Sequence, residues 1–449
     1  MKAFSFPALM RTALVILAGM PCLSWGADAP VAPTMAMEMI LAKEEDAGPL
    51  AAPMQKLQEK IKANPGDSRS IEQLGRFFIA KARVNFDPGC YKLAEMCGVV
   101  LVRNDPKNAQ GLLLQGETLL AMHRFHEAEG VARSLLAQRQ DMTDHALLGD
   151  ALMEQGRLDE AVQSYQAMID AKPCLASYSR VAHMRWLRGD IEGATQMAEE
   201  AIACGSYRDP EPMAWVTARL SFYQWQDGRL EKALATAARA CELVKDYPHA
   251  LLVTGRVLLA QGKPVEAAAA LEKTALKLPL PEVLWALADA ARAAGQSGRA
   301  EAVEGRLIKS GAATDPRSFA LYLATRHLQP QRALALSLAE LETRADVHTY
   351  DALAWAQQAA GRLDEAAATM KKALAENTRD ARLYAHAGLI ANAAGDTGAA
   401  SLWLDLAQAM RHALLPSELE ALDHARKVSP APPSRPDQPP QQVANQPAH

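Results

Sequence analysis

A trio of small residues returns along this chain in a nearly fixed frame. Gly149, Gly156 and Ala161 are followed by Ala182, Gly189 and Ala194. The trio then returns as Gly255, Gly262, Ala267; Ala288, Gly295, Ala300; Ala354, Gly361, Ala366; and Gly388, Gly395, Ala400. The closing alanine alone can be followed through Ala128, Ala161, Ala194, Ala233, Ala267, Ala300, Ala333, Ala366 and Ala400. That interval is all but constant, and only the step from Ala194 to Ala233 is longer. One physical unit accounts for this. Two helices approach closely where small side chains meet, and a glycine between them supplies a permissive turn. Pro106, Pro173, Pro248 and Pro279 mark the stop before the next unit.

A repeat also resolves a problem of size. The chain has 449 residues, whereas single cores stop growing near ~250–300. Stacked units need only a string of small cores, each shared with a neighbour. Aromatics are 5% of the residues and alanine fills long stretches, which favours helix over strand. Acidic residues number 52 against 48 Lys and Arg, a net charge of -4. That balance gives no basic excess for nucleic acid.

The segments GRLDEAVQSYQAMIDAKP (156–173), GRLEKALATAARACELVKDYP (228–248) and GRLDEAAATMKKALAEN (361–377) carry a turn glycine, an acidic residue, alanine and an apolar or aromatic residue such as Tyr165. They resemble the tetratricopeptide repeat, a helix pair that recurs with this same period. The resemblance implies an all-α fold, a right-handed superhelical solenoid of about ten helix pairs over 56–428, closed by a capping helix at Leu415–Val428. Three departures stand out: an insert around Gly205–Pro212, a unit at Pro330–Leu338 without its turn glycine, and a looser first unit over 57–106. The runs 175–194, 346–366 and 377–396 are similar to an exported, largely uncharacterised bacterial group of such proteins.

A helix-pair solenoid offers a concave face made mainly by the first helix of each pair. The repeat frame places Arg180, His183 and Trp186 there, then Trp215, Arg219, Phe222 and Trp225. His249, Arg256, Trp285, Asp289, Arg292, Asp351 and Trp355 continue the face. Aromatic and Arg side chains anchor protein recognition, and they concentrate at 180–225 in a chain poor in aromatics. The competing reading makes Trp215 and Trp285 inter-repeat core. The Lys and Asn clamp that some such domains use for chain-end carboxylates is absent, since Thr143, Ala146, Asp150, Ala176, Ser179 and His183 stand in its place. The expected function is a noncatalytic protein-interaction scaffold or adaptor of the bacterial cell envelope. A periplasmic carrier of a ligand or metal, and then an enzyme, are the alternatives.

Few residues point to chemistry. His123, His126 and Glu127 in HRFHEAE do not make HExxH, and read as surface decoration. Carboxylates after the turn glycines belong to helix starts. Neither cofactor nor metal is implied. Residues 1–26, with Lys2, Arg11, the apolar run Thr12–Leu23 and small residues before Ala27, read as an export signal, which places the protein in the periplasm of a Gram-negative bacterium. Residues 27–55 read as a flexible leader; its alternating Met35, Met37 and Met39 could take copper(I), but no His or Cys stands beside them. Residues 429–449 form a Pro- and Gln-rich tail without core formers. Five cysteines outlast the signal, and Cys90/Cys97 and Cys174/Cys204 are either bridges or packed thiols.

Overall fold

The computed structural model describes residues 33–42, 48 and 50–428. The expected signal and tail lie outside them. Ten antiparallel helix pairs run from α3 (Ser68–Asn85) and α4 (Pro88–Asn104) to α21 (Ala381–Ala393) and α22 (Thr397–Ala409), with no strand among the described residues. Side-chain oxygens start many of the helices: Asn108 accepts from Gly111 N, Asp190 from Gly193 N and Asp396 from Ala399 N. Each satisfies an amide that the helix cannot. Gly149, on α7 (Met142–Glu154), shows why a small residue recurs there. A Cβ at this position would lie 2.4 Å from the ring of Tyr165 on α8 (Leu158–Ala171).

The departures take definite forms. The insert is the loop before α11 (Pro210–Gln226) plus added length on that helix, which has 17 residues where its counterpart α9 (Leu175–Leu187) has 13. In the degenerate unit, α17 (Pro316–Thr325) has 10 residues, and His327 and Gln329 take positive φ where glycine would stand. Part of the expected leader is ordered. Residues Pro33–Leu41 form helix α1, whose Ala36 and Ile40 are buried in the first core with Met54 and Ile61 of α2 (Ala51–Ala63). Gln58 of α2 holds α1 in place, donating to the carbonyls of Ile40 and Ala42 at 2.9 and 3.0 Å. The alternation that placed three methionines in a linker is therefore an amphipathic helix: Met37 and Met39 pack on the core and Met35 is exposed.

The expected open concave face is not found. The solenoid winds back on itself, and its carboxyl-terminal units enter the groove made by the middle ones. Ala345 N donates to Glu154 O at 3.2 Å, Thr378 Oγ1 to Leu187 O at 2.5 Å, and His412 Nε2 to Trp225 O at 2.9 Å. These carbonyls belong to the last turns of α7, α9 and α11, where helices leave acceptors unsatisfied. Ion pairs reinforce the docking: Arg344 with Glu154 at 2.7 Å, Arg188 with Glu376 at 3.1 Å and Arg379 with Asp227 at 3.2 Å. One apolar cluster joins Trp225, Val253 and Val257 to Ala385, Leu404, Met410 and Leu422. The last helix, α23 (Pro416–Val428), does more than cap the end. Its Ser417 accepts from Trp285 Nε1 at 2.9 Å and donates from N and Oγ to Asp289, both on α15 (Pro281–Ala293).

Candidate functional site

Where the two coils meet they enclose a chamber of about 200 Å³. Its first wall is His183 and Trp186 of α9, Arg219, Phe222 and Trp225 of α11, and His249 and Arg256 of α13 (Pro248–Ala260). The opposite wall comes from the returning coil: Arg317, Asp346, His348, Asp351, Asp380 and Arg382. The repeat frame brings these together because first-helix positions recur once in every unit and point inward.

The aromatic wall is continuous. Trp186 meets Phe222 edge-on at 5.2 Å and 81°, and Phe222 lies 5.6 Å from Trp225. His348 stacks on Trp186 at 5.5 Å and 22°. The Arg219 guanidinium sits 4.6 Å from the Phe222 centroid and 5.7 Å from that of Trp186, within cation–π range. Its Nη2 donates to His183 Nδ1 at 2.9 Å. Burial and then the nearby Arg219 charge hold the His183 pKa well below the ordinary value, so the ring is a neutral acceptor. The same two causes, in the same order, bring His249 down to about 4.

Most other charges in the chamber are matched. Arg256 pairs with Glu282 at 2.5 Å and Arg317 with Asp346 at 2.9 Å. Arg382 pairs with Glu418 and lies 3.7 Å from Glu282. His386 Nδ1 is 2.8 Å from Asp351. Asp380 caps α21 and accepts from Gln226 at 3.0 Å. Burial raises the Asp346 carboxyl, but Arg317 and Arg344 together outweigh it and hold its pKa below the usual range. Burial pushes Glu154 up to about 7, against a partial offset from Arg344.

Of the seven residues singled out in the sequence, His183, Trp186, Arg219, Phe222 and Trp225 line this one chamber. Arg180 does not. It is 2% exposed and forms a bidentate pair with Asp150 at 2.8 and 2.7 Å, while Tyr165 donates to the same carboxylate at 2.8 Å. That network ties α7, α8 and α9 together. Trp215 is half-buried against the cores of its own and the preceding unit, and also lies away from the chamber. Trp285 is buried beneath α23, and Trp355 stacks on His386 at 4.3 Å.

Apart from Asp351, the chamber residues of the returning coil were missed. Arg317, Asp346, His348, Asp380 and Arg382 reach the chamber only because the superhelix closes, and no local pattern encodes that. His123 needs a correction of another kind. It is not surface decoration: it occupies the turn-glycine place of its unit at φ 58° and stacks on Phe125 at 5.5 Å. Burial, then Arg344 and Arg317, push its pKa well down. Its place shortly before Ala128, where other units carry the turn glycine, was the available signal. His126 and Glu127 are exposed, and Glu127 pairs with Arg124 at 2.6 Å. Among the described residues Cys90, Cys97, Cys174, Cys204 and Cys241 form no disulfide; Cys90 Sγ donates to Asp87 at 3.4 Å, and burial pushes the Cys97 thiol up.

Helix pairs of near-constant length, glycine turns and an inward-facing first-helix surface define a repeat solenoid. The chain is a tetratricopeptide repeat protein: tetratricopeptide repeat profiles match residues 102–173, 223–279 and 252–316, and a second one matches 347–372. No curated protein matches it significantly. Among solved structures it is similar to a human IFIT1 dimer with PPP-AAAA, at 14% identity and TM-score 0.44, over 84% of this chain and 94% of that one. It is also similar to Pseudomonas aeruginosa PilF, at 16% identity and TM-score 0.39, over 45% of this chain and 90% of that one. A tetratricopeptide repeat protein from Parabacteroides merdae matches at 16% identity and TM-score 0.32, over 57% and 98%. Repeats of this kind are in general interaction scaffolds rather than catalysts. Among the described residues, no helix is long and apolar enough to cross a membrane.

Proposed function

We propose that this protein is a noncatalytic scaffold exported to the bacterial cell envelope, and that it holds a protein or peptide partner through the chamber wall at His183, Trp186, Arg219, Phe222 and Trp225. The observation that carries the reading is the convergence of these five residues from two successive units on one cavity. Aromatic and Arg groups in a desolvated recess are the usual anchors of recognition. The chamber is narrow and Trp186 and Trp225 are 3% and 2% exposed, so a partner inserts a single chain end or side chain. Export rests on residues 1–26, whose basic start and apolar run fit a signal segment.

The test is recovery of partners from an envelope extract on immobilised wild type and on Phe222→Ala and Trp186→Ala/Trp225→Ala variants. Melting curves establish that each variant is folded. Loss of a partner from folded variants is expected, and unchanged recovery removes the site assignment. Amino-terminal sequencing of the expressed protein after cell fractionation tests export: a mature chain beginning at Ala27 in the periplasmic fraction is expected.

A further inference from the structure

The last helix pair carries leucine where its predecessors do not. Counted from the closing alanine of each trio, the position two residues on is exposed in all nine units, and that six residues on in all but one. In the eight preceding units these two positions hold only Gly, Ser, Ala, Gln, Glu, Lys or Arg. In α22 they are Leu402 and Leu406, one turn apart on a shared face and 55% and 38% exposed. A lone exposed leucine is ordinary, but a contiguous apolar strip marks a contact. Gly398, one turn before Leu402, extends the strip. A Cβ there would meet only the Asp396 carboxylate, at 3.7 Å, so another backbone has room to approach.

The course of α23 points to what covers this face. Arg411, just after α22, pairs with Asp423 at 3.3 Å, and Asp405 pairs with Arg426 at 2.7 Å. As α23 advances, its partners step backward, so it runs antiparallel to α22 here. Asp405 flanks the two leucines on the exposed side of the helix. The chain therefore leaves α23 at Val428 beside the strip, headed toward Leu402 and Gly398. The sequence that follows is SPAPPSRPDQPP (429–440), which lies outside the described residues. Proline-rich sequence favours an extended helix that makes no internal hydrogen bonds and rises about 3.1 Å per residue. From Asp405 back to Gly398 α22 rises about 10 Å, a distance that about four such residues cover. Grooves that recognise proline-rich segments do so by seating the rings on apolar side chains.

We propose that the exposed face of α22 is a docking site for the chain's own segment 429–440, with its prolines packed on Leu402 and Leu406. The seat covers the two leucines and ties the residues beyond α23 to the last repeat. Neither leucine lines the chamber, so the docking goes beyond the scaffold reading and stands or falls apart from it.

Hydroxyl-radical footprinting of the full-length protein, read by mass spectrometry, is the test. Leu276 and Leu338, 76% and 44% exposed, serve as references. In the wild type, labelling of Leu402 and Leu406 should fall severalfold below that of the references. In a Pro430→Gly/Pro432→Gly/Pro433→Gly variant it should rise to their level while the references stay unchanged. The reciprocal variant is Leu402→Asp/Leu406→Asp, in which proteinase K should cut within 429–440 severalfold faster than in the wild type. Melting curves establish that each variant is folded. Three results overturn the proposal: Leu402 labelled as readily as Leu338 in the wild type, labelling or cleavage unchanged in the folded variants, or protection that vanishes on dilution, which would seat a second copy of the chain there instead.

Discussion

The turns that follow α7 and α13 are built alike and used differently. Both put glycine in the left-handed region, Gly156 at φ 73° and Gly262 at φ 69°, which a Cβ disfavours. A Cβ on Gly262 would meet nothing within 4 Å, whereas one on Gly156 would lie 2.1 Å from Ala345 O of the returning coil. Gly189 repeats the second case, 2.5 Å from Asn377 O, and Gly361 repeats the first. The repeat explains why glycine stands at all four positions. Only their place along the superhelix explains why some also serve as docking surfaces. A residue that looks like one more copy of a pattern thus carries a second constraint in the middle units.

The docked turns should tolerate change far less than the open ones, and their ion pairs should show it most. Arg344 is 3% exposed and pairs with Glu154 across the coils at 2.7 Å and with Glu340 at 3.6 Å. Arg344→Ala leaves buried carboxylates without a cation, and a loss of about 3–5 kcal/mol in chemical denaturation is expected. Lys232→Ala, which removes a pair with Glu199 in which both side chains are about half exposed, should cost about 1 kcal/mol or less. Equal losses would mean that the coil contact contributes nothing.

The glycines themselves give the next largest effect. Gly262→Ala should cost about 1–2 kcal/mol from backbone strain alone. Gly156→Ala adds a collision with a backbone carbonyl, which cannot rotate away, and about 3 kcal/mol or more is expected. Amide exchange would sharpen the result, with protection falling at Ala345, whose N–H donates to Glu154 O, in Gly156→Ala and unchanged there in Gly262→Ala. Similar losses in both would show that the returning coil yields freely.

How much of this was readable in the residues follows from the same contrast. The ten helix pairs, the lengthened unit at Gly205–Pro212 and the turn positions are local, set by small residues and caps within one unit. Five of the seven named site residues line the chamber because the first-helix frame is also local. Arg180 failed because its partner, Asp150, lies one unit back, and a face assignment cannot tell a solvent-facing arginine from one paired inward. Closure was illegible for a different reason. It depends on small rotations between successive pairs that accumulate over several units, and contacts such as Thr378 with Leu187 lie 191 residues apart. The helix at Pro33–Leu41 was lost to its proline and alternating methionines, which hid an apolar face formed by Ala36 and Ile40.

The chamber adds a pH dependence that belongs to the coil interior. His249 is neutral in the fold with its pKa lowered to about 4, by burial first and Arg219 second. The unfolded imidazole takes up a proton near ~6.5. Between those values the unfolded state binds more protons, so stability rises with pH there. The contribution is complete above ~6.5 and is lost as pH falls toward 4. His249→Asn removes this titration, so the wild-type advantage should shrink by roughly 2–3 kcal/mol between pH ~6.5 and ~4. An advantage that is flat or grows on acidification would show that His249 is not held neutral.

The smallest expected effect isolates a single bond between the coils. Thr378 Oγ1 donates to the Leu187 carbonyl, and the hydroxyl is buried. Thr378→Val keeps the shape and removes the donor, leaving a helix-end carbonyl short of a partner. A loss of about 1 kcal/mol is expected. The matching change on an open turn, Thr397→Val beside Gly395, removes no contact between coils, and a few tenths of that value is expected for a surface site. The pair of measurements asks whether docking is held by specific bonds at each turn or by the apolar cluster around Trp225 alone. A Thr378→Val variant as stable as wild type would assign the holding energy to that cluster, while a loss of about 1 kcal/mol would make each helix-end carbonyl a separate rung of the contact.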